Sequence, residues 1–195
     1  NQIFVINPLG GESIRLTKSE TAINNFAWSE DGRSIAYLAS EPTPPVSKER
    51  KDYMGDFEVI RKEYNFSHIW TFNVEDALKG SLVGKQRTKN KDFSVGSFSW
   101  SPDGTKIAFS ATINPDLIQG STSDVYVLNL SDDTVRKIVS QLGPDSGPRW
   151  SPDGKQIAFS SAMGRNPAFA VNTKLAIVPA EGGTPRSLTD GFDEN

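Results

Sequence analysis

A twelve-residue pattern that recurs three times without gaps constrains this 195-residue chain more than any other feature. It reads Phe-Ala-Trp-Ser-Glu-Asp-Gly-Arg-Ser-Ile-Ala-Tyr from Phe26 to Tyr37 and Phe-Ser-Trp-Ser-Pro-Asp-Gly-Thr-Lys-Ile-Ala-Phe from Phe98 to Phe109. The third copy, Pro148 to Phe159, is Pro-Arg-Trp-Ser-Pro-Asp-Gly-Lys-Gln-Ile-Ala-Phe. Trp28, Trp100 and Trp150 are 72 and then 50 residues apart. Repeats at such periods mean stacked supersecondary units, and blade-type repeats run about 40–50 residues.

Each copy reads as a tight β-hairpin. One strand ends at the tryptophan and the next begins at Ile-Ala-Phe or Ile-Ala-Tyr. Between them, Pro102 and Pro152 preset φ. Asp31, Asp103 and Asp153 can bond their own turn backbone. Gly32, Gly104 and Gly154 tolerate positive φ. Glu30 replaces the proline in the first copy without forbidding the turn.

A second pair of strands follows each hairpin. After the second copy, Asp124–Leu130 and Thr134–Val139 flank Ser131-Asp132-Asp133. After the third, Lys174–Pro179 and Pro185–Thr189 flank Glu181-Gly182-Gly183. The N-terminus carries the same half-unit, Gln2–Asn7 and Ser13–Thr17 around Gly10-Gly11. A unit of four meandering strands is a propeller blade. The expected class is therefore all-β, a β-propeller segment of about three and a half four-stranded blades.

The expected boundaries are a half blade at 1–20, a blade at 21–93, and blades at 94–143 and 144–190. The second of these carries an insertion at 41–65, read as an exposed loop from Pro42, Pro44, Pro45 and the charged run Lys48 to Asp52. No long amphipathic helix is expected, and Val74 to Lys79 forms at most a short turn of one. A closed ring has about four to eight blades, so the chain reads as a piece of a larger propeller. Half a ring leaves two apolar faces without neighbours, so the chain alone is expected to self-associate.

Composition narrows the function classes. Lys plus Arg is 21 against 24 Asp plus Glu, which argues against a nucleic-acid binder relying on bulk positive charge. No stretch approaches the ~20 apolar residues of a membrane span. The absence of cysteine excludes a disulfide framework, a thiolate metal site and a cysteine nucleophile. The start, Asn1 to Pro8, has no basic region followed by an apolar one, so no signal peptide is expected.

The order of segments resembles the propeller domain of the prolyl oligopeptidase family of serine peptidases, in particular its acylaminoacyl peptidase and dipeptidyl aminopeptidase-like branches. The Trp-Ser-Pro-Asp-Gly hairpin is shared with TolB-like propellers. More specific are Asp56–Arg61 followed by Tyr64 to Trp70, with its His68-Ile69-Trp70 strand. Asp92-Phe93-Ser94-Val95 leading into Phe98-Ser99-Trp100, and Ser123 to Val127, complete the resemblance. It implies a propeller seated over an α/β-hydrolase domain of the same polypeptide, restricting access so that short peptide substrates are cut and folded proteins are not.

The residues give no catalytic apparatus. A nucleophile elbow needs Gly-x-Ser-x-Gly, and the stretches starting at Gly96 and Gly120 lack the closing glycine. The single histidine, His68, is read as structural. Trp28, Trp100 and Trp150 are read as core rather than as a sugar or base platform. One turn acid per blade cannot converge on a calcium ion, so Asp31, Asp103 and Asp153 are structural, and no cofactor or metal is assigned. Lys85, Arg87, Lys89 and Lys91 read as a solvated outer strand rather than a phosphate site. Asn65-Phe66-Ser67 and Asn129-Leu130-Ser131 match the glycosylation sequon. Two other readings stand beside the peptidase one. In the first, a TolB-like propeller serves as a protein-interaction module. In the second, a carbohydrate- or small-molecule-active propeller enzyme uses its central channel.

Overall fold

The computed structural model describes residues 1–55, 64–89, 91–165 and 172–191. The expected contribution of Asp56–Arg61, in the second half of the insertion, lies outside these residues. Strands β1 (Phe4–Val5) and β2 (Ile14–Arg15) form a hairpin. The first four-stranded sheet holds β3 (Ile23–Trp28), β4 (Ser34–Ser40), β5 (Ser67–Asn73) and β6 (Lys85–Gln86). The second holds β7 (Ser94–Trp100), β8 (Lys106–Thr112), β9 (Asp124–Asn129) and β10 (Val135–Val139). The third holds β11 (Asp145–Trp150), β12 (Gln156–Ser161), β13 (Lys174–Pro179) and β14 (Arg186–Ser187). Every pairing is antiparallel, and strand order follows chain order in each sheet. The architecture is an all-β propeller segment whose sheets do not close into a ring.

The repeat explains why the sheets are alike. Trp28 faces Ile35, Trp100 faces Ile107, and Trp150 faces Ile157 across the first two strands. The same register then places Phe72, Leu128 and Val178 opposite those isoleucines on the third strand. The first strand slips register once in each sheet, between Ile23 and Asn25, Val95 and Ser97, and Ser146 and Arg149. A bulge in the first half of the strand in two sheets, and nearer the tryptophan in the third, adds local twist to each.

Each connecting turn is a closed hydrogen-bond unit. The amides of Gly32, Gly104 and Gly154 donate to the carbonyls of Ser29, Ser101 and Ser151 at 2.9 Å. The hydroxyls of the same serines donate to Asp31, Asp103 and Asp153 at 2.6 Å. They also accept from the amides of Ser34, Lys106 and Gln156. The glycines sit at φ of 67°, 68° and 68°, where a Cβ would be strained.

Successive sheets pack face to face through apolar cores. Ile3, Leu16, Ile23, Ile35, Tyr37 and Phe72 join the hairpin to the first sheet. Ile69, Phe93, Phe109 and Leu128 join the first sheet to the second, and Val125, Ile138, Phe159 and Val178 join the second to the third. Phe109 stacks on Tyr126 with ring centroids 5.2 Å apart. Such offset aromatic pairs add about 0.5–1.5 kcal/mol beyond burial.

The insertion departs from its expected loop form. It contains helix α1 (Pro45–Met54), with Pro45 in the first turn and Gly55 at the C-cap. None of its residues is buried. Proline reads as a breaker in mid-helix but is preorganised at the first helical position, which is where Pro45 stands. Helix α2 (Val74–Leu78) is short, and the Asn73 side chain caps it by accepting from the amides of Glu75 and Asp76.

Candidate functional site

The first strands of the three sheets sit side by side, with β7 against both β3 and β11. Their Trp-bearing ends enclose an open cavity of about 610 Å³. Trp28, Trp100, Trp150, Phe26 and Phe98 supply its aromatic walls, and Glu30 and Arg149 are its charged lining residues. The repeat creates this convergence, since one register places the tryptophan at the same end of each first strand.

The three tryptophans differ in what they do. Trp100 is buried, and its indole N–H donates to the Ala27 carbonyl of the preceding sheet at 3.1 Å. Trp150 is partly buried, and its indole nitrogen is enclosed without a hydrogen-bond partner. Trp28 is 46% exposed, with Phe26 at 54% beside it. The core assignment therefore fits Trp100 and fails for Trp28. The hairpin that precedes the first sheet has two strands. Ser99 also lines the cavity, and its hydroxyl is enclosed and unpartnered. Arg149 donates to the Phe98 and Pro148 carbonyls at 3.3 and 3.2 Å, which holds its guanidinium along the wall.

To a ligand this surface offers aromatic faces and one charge of each sign, since the orphan indole nitrogen and hydroxyl are enclosed. Among the described residues that line it there are no paired acids and no nucleophile beside a base. The three turn acids stay in their own turns, and the serine hydroxyl followed by a backbone amide holds each carboxyl below its ordinary value. Among the described residues no group of three or more His, Cys, Asp or Glu could hold a metal ion.

His68 lies at the far side of the first sheet and is fully buried. Its Nδ1 is 3.1 Å from Thr88 Oγ1, which already accepts the Ile69 amide at 3.0 Å. The Nε2 atom lies 3.4 Å from Glu41 Oε1, and a proton on Nε2, with the Thr88 hydroxyl donating to Nδ1, is the tautomer that suits the carboxylate. Burial pushes the imidazole pKa down, and Glu41 opposes that only in part. A hydroxyl, an imidazole and a carboxylate in this order resemble a catalytic relay, but Thr88 and His68 are both buried and no substrate atom can reach the hydroxyl.

The basic cluster is tied down at two of its four positions. Lys85 and Arg87 both pair with Asp133 of the next sheet at 2.8 Å. Arg87 also donates to Thr71 and to the Leu130 carbonyl. The pair of cations is a cross-sheet clamp, whereas Lys89 and Lys91 are exposed.

One buried acid was not singled out in the sequence. Asp145 is fully buried at the start of β11, where the equivalent residues of the other sheets are Ile23 and Val95. Its Oδ1 accepts from Gln141 at 2.9 Å, and its Oδ2 is buried without a partner. Burial raises its pKa. Its amide and carbonyl both bond Ser123 of the preceding sheet. The signal was present in the repeat itself: counting five residues back from each tryptophan gives Ile, Val and then Asp.

No family model matches the chain, and no curated protein matches it. Solved structures do. A putative TolB from Agrobacterium tumefaciens aligns with a TM-score of 0.62 and 20% identity, covering 93% of this chain and 53% of that one. The fold is that of a TolB-like β-propeller. The acylaminoacyl peptidase of Pyrococcus horikoshii aligns over 100% of this chain and 29% of its own, with a TM-score of 0.64 and 16% identity. An oligogalacturonate lyase from Vibrio parahaemolyticus gives 0.64 and 13%, covering 95% and 45%. The chain thus spans about half the length, or less, of the structures it resembles.

Proposed function

We propose that the chain is a non-catalytic propeller segment that gates or positions peptide substrates for an α/β-hydrolase domain of the same polypeptide. The observation that carries this reading is the likeness of the whole chain to part of an acylaminoacyl peptidase. Beside it stands an aromatic-walled cavity that, among the described residues, holds no acid–base pair. Aromatic walls with one charge of each sign suit an extended peptide, whose side chains and backbone can lie along them.

The test uses the complete polypeptide encoded with this segment. It should contain Gly-x-Ser-x-Gly, hydrolyse short chromogenic peptides and leave a folded protein uncut, while the 195-residue chain alone hydrolyses neither. A complete polypeptide with no such pentapeptide and no hydrolysis would refute the reading. The likeness to TolB favours a second reading, a protein-interaction module without a hydrolase partner. That same negative result is the one it requires.

A further inference from the structure

Both charges that line the cavity stand where one copy of the repeat departs from the others. Ala27, Ser99 and Arg149 occupy one register place, opposite Ala36, Ala108 and Ala158 of the second strands. Two copies put a small residue there and the third puts an arginine. Glu30 likewise takes the turn position held by Pro102 and Pro152 in the other copies. The turns and the strand order are the same with or without these charges. A local rule broken without a gain to the fold points to function.

Neither charge is consumed within the structure. Arg149 is exposed and reaches back over the second sheet, where one terminal nitrogen, Nη1, donates to the Phe98 carbonyl at 3.3 Å and to the Pro148 carbonyl at 3.2 Å. Among the described residues its Nε and Nη2 have no hydrogen-bond partner, and neither Arg149 nor the exposed Glu30 makes an ion pair. Arg149 is held between β7 and β11, which pack against each other, so its setting rests on internal contacts.

The uncommitted edge of the guanidinium selects the ligand. Anchored through Nη1, it keeps Nε and Nη2 for a planar anion, and its match to a carboxylate is bidentate. Phe98, Trp100 and Trp150 line the same cavity, and apolar walls strengthen a charge–charge contact relative to water. Glu30, in the first-sheet turn, repels an anion, so the negative group of a bound molecule is directed to the third sheet.

We propose that Arg149 is a specificity-determining residue of this cavity, taking a carboxylate of the bound peptide through Nε and Nη2. That the ligand is a peptide rests on the function proposed above, whereas the preference for an anion rests on Arg149 itself. A free C-terminus and an acidic side chain present the same planar group, and the experiment separates them.

The experiment is fluorescence anisotropy on the complete polypeptide, read before turnover, with a short N-terminally labelled peptide as the probe. The probe is made as the C-terminal amide, as the free acid, and as the amide with one central asparagine replaced by aspartate. The free acid or the aspartate form should bind about tenfold more tightly than the amide. The first result places the C-terminus at Arg149, and the second an acidic side chain. Arg149→Gln should erase the preference with unchanged circular dichroism, since the side chain is exposed. Arg149→Lys should keep only part of it, because an ammonium supplies the charge without the fork. Lys89→Gln, an equal loss of charge at another exposed position, should leave it intact. Absence of binding or of any preference in the wild type overturns the proposal. So does a preference that Arg149→Gln leaves in place or that Lys89→Gln removes. Anisotropy reads binding alone, so a preference without hydrolysis refutes the hydrolase reading and not this one, and hydrolysis without a preference does the reverse.

Discussion

Replacing Ser101 by alanine removes the centre of one repeat turn and nothing else. The Ser101 side chain is 2% exposed. Its hydroxyl donates to Asp103 at 2.6 Å and accepts the Lys106 amide at 2.9 Å. A hydrogen bond to a charged group contributes about 1.5–3 kcal/mol, and a neutral one about 0.5–1.5 kcal/mol. Asp103 is near the surface, so water takes over part of what it loses. The net cost of Ser101→Ala should be about 2 kcal/mol, or roughly 4–8 °C in Tm for a chain of this size. Ser151 makes the same bonds in a more exposed turn, and Ser151→Ala should cost about half as much.

The turn also fixes a pH dependence. Asp103 has a lowered pKa, first because of the Ser101 hydroxyl and then because of the Thr105 amide. Its contribution is therefore present above the ordinary value of 3.8 and lost as pH falls through the lower folded value. Urea melts of wild type and Ser101→Ala should differ by the full amount at pH 7 and by less below about pH 3.8, where the Lys106 amide bond remains. A difference under 0.5 kcal/mol at pH 7, or one that does not shrink in acid, would refute the assignment of the serine–aspartate bond as the stabilising element.

Two further substitutions address other links in the fold. Arg87→Lys keeps the charge but cannot reach Thr71, Leu130 and Asp133 together, and should cost about 1–2 kcal/mol in urea. Lys79→Ala, which breaks only an exposed pair with Glu75, should stay within about 0.5 kcal/mol, and equal effects from the two would sink the clamp assignment. Asp145→Asn keeps an acceptor for Gln141 and removes a buried charge. The raised pKa of Asp145 means that its contribution is present below the ordinary 3.8 and lost as pH rises through the folded value. The asparagine variant should therefore melt higher than wild type at pH 7, with the gain shrinking toward pH 4, and a clear loss at pH 7 would show that the carboxylate is needed in its charged form.

The fold was legible because its signals are local. A turn formed from Ser, Asp and Gly at fixed offsets encodes its own geometry, and Ile-Ala-Phe names the strand that follows. Helix α1 was missed because none of its residues is buried, so no apolar period marks it in the sequence. The exposure of Trp28 was also illegible from its own copy of the repeat, which matches the copy around the buried Trp100. Lys85 and Arg87 looked like a solvated run because their acid, Asp133, is more than forty residues away. Asp145 was readable in principle, and comparing the three copies position by position, beyond the shared motif, exposes it.

The forward-reaching cations of the sheets have a consequence for how such a chain can change in length. Lys85 and Arg136 each span a single boundary, and each sheet is built from consecutive strands. Cutting the chain between β10 and β11 would expose Arg136 and Val125 in the way that Arg186 and Leu175 are exposed now. Removing or duplicating one unit thus regenerates the same kind of end, with the same charge and the same apolar patch.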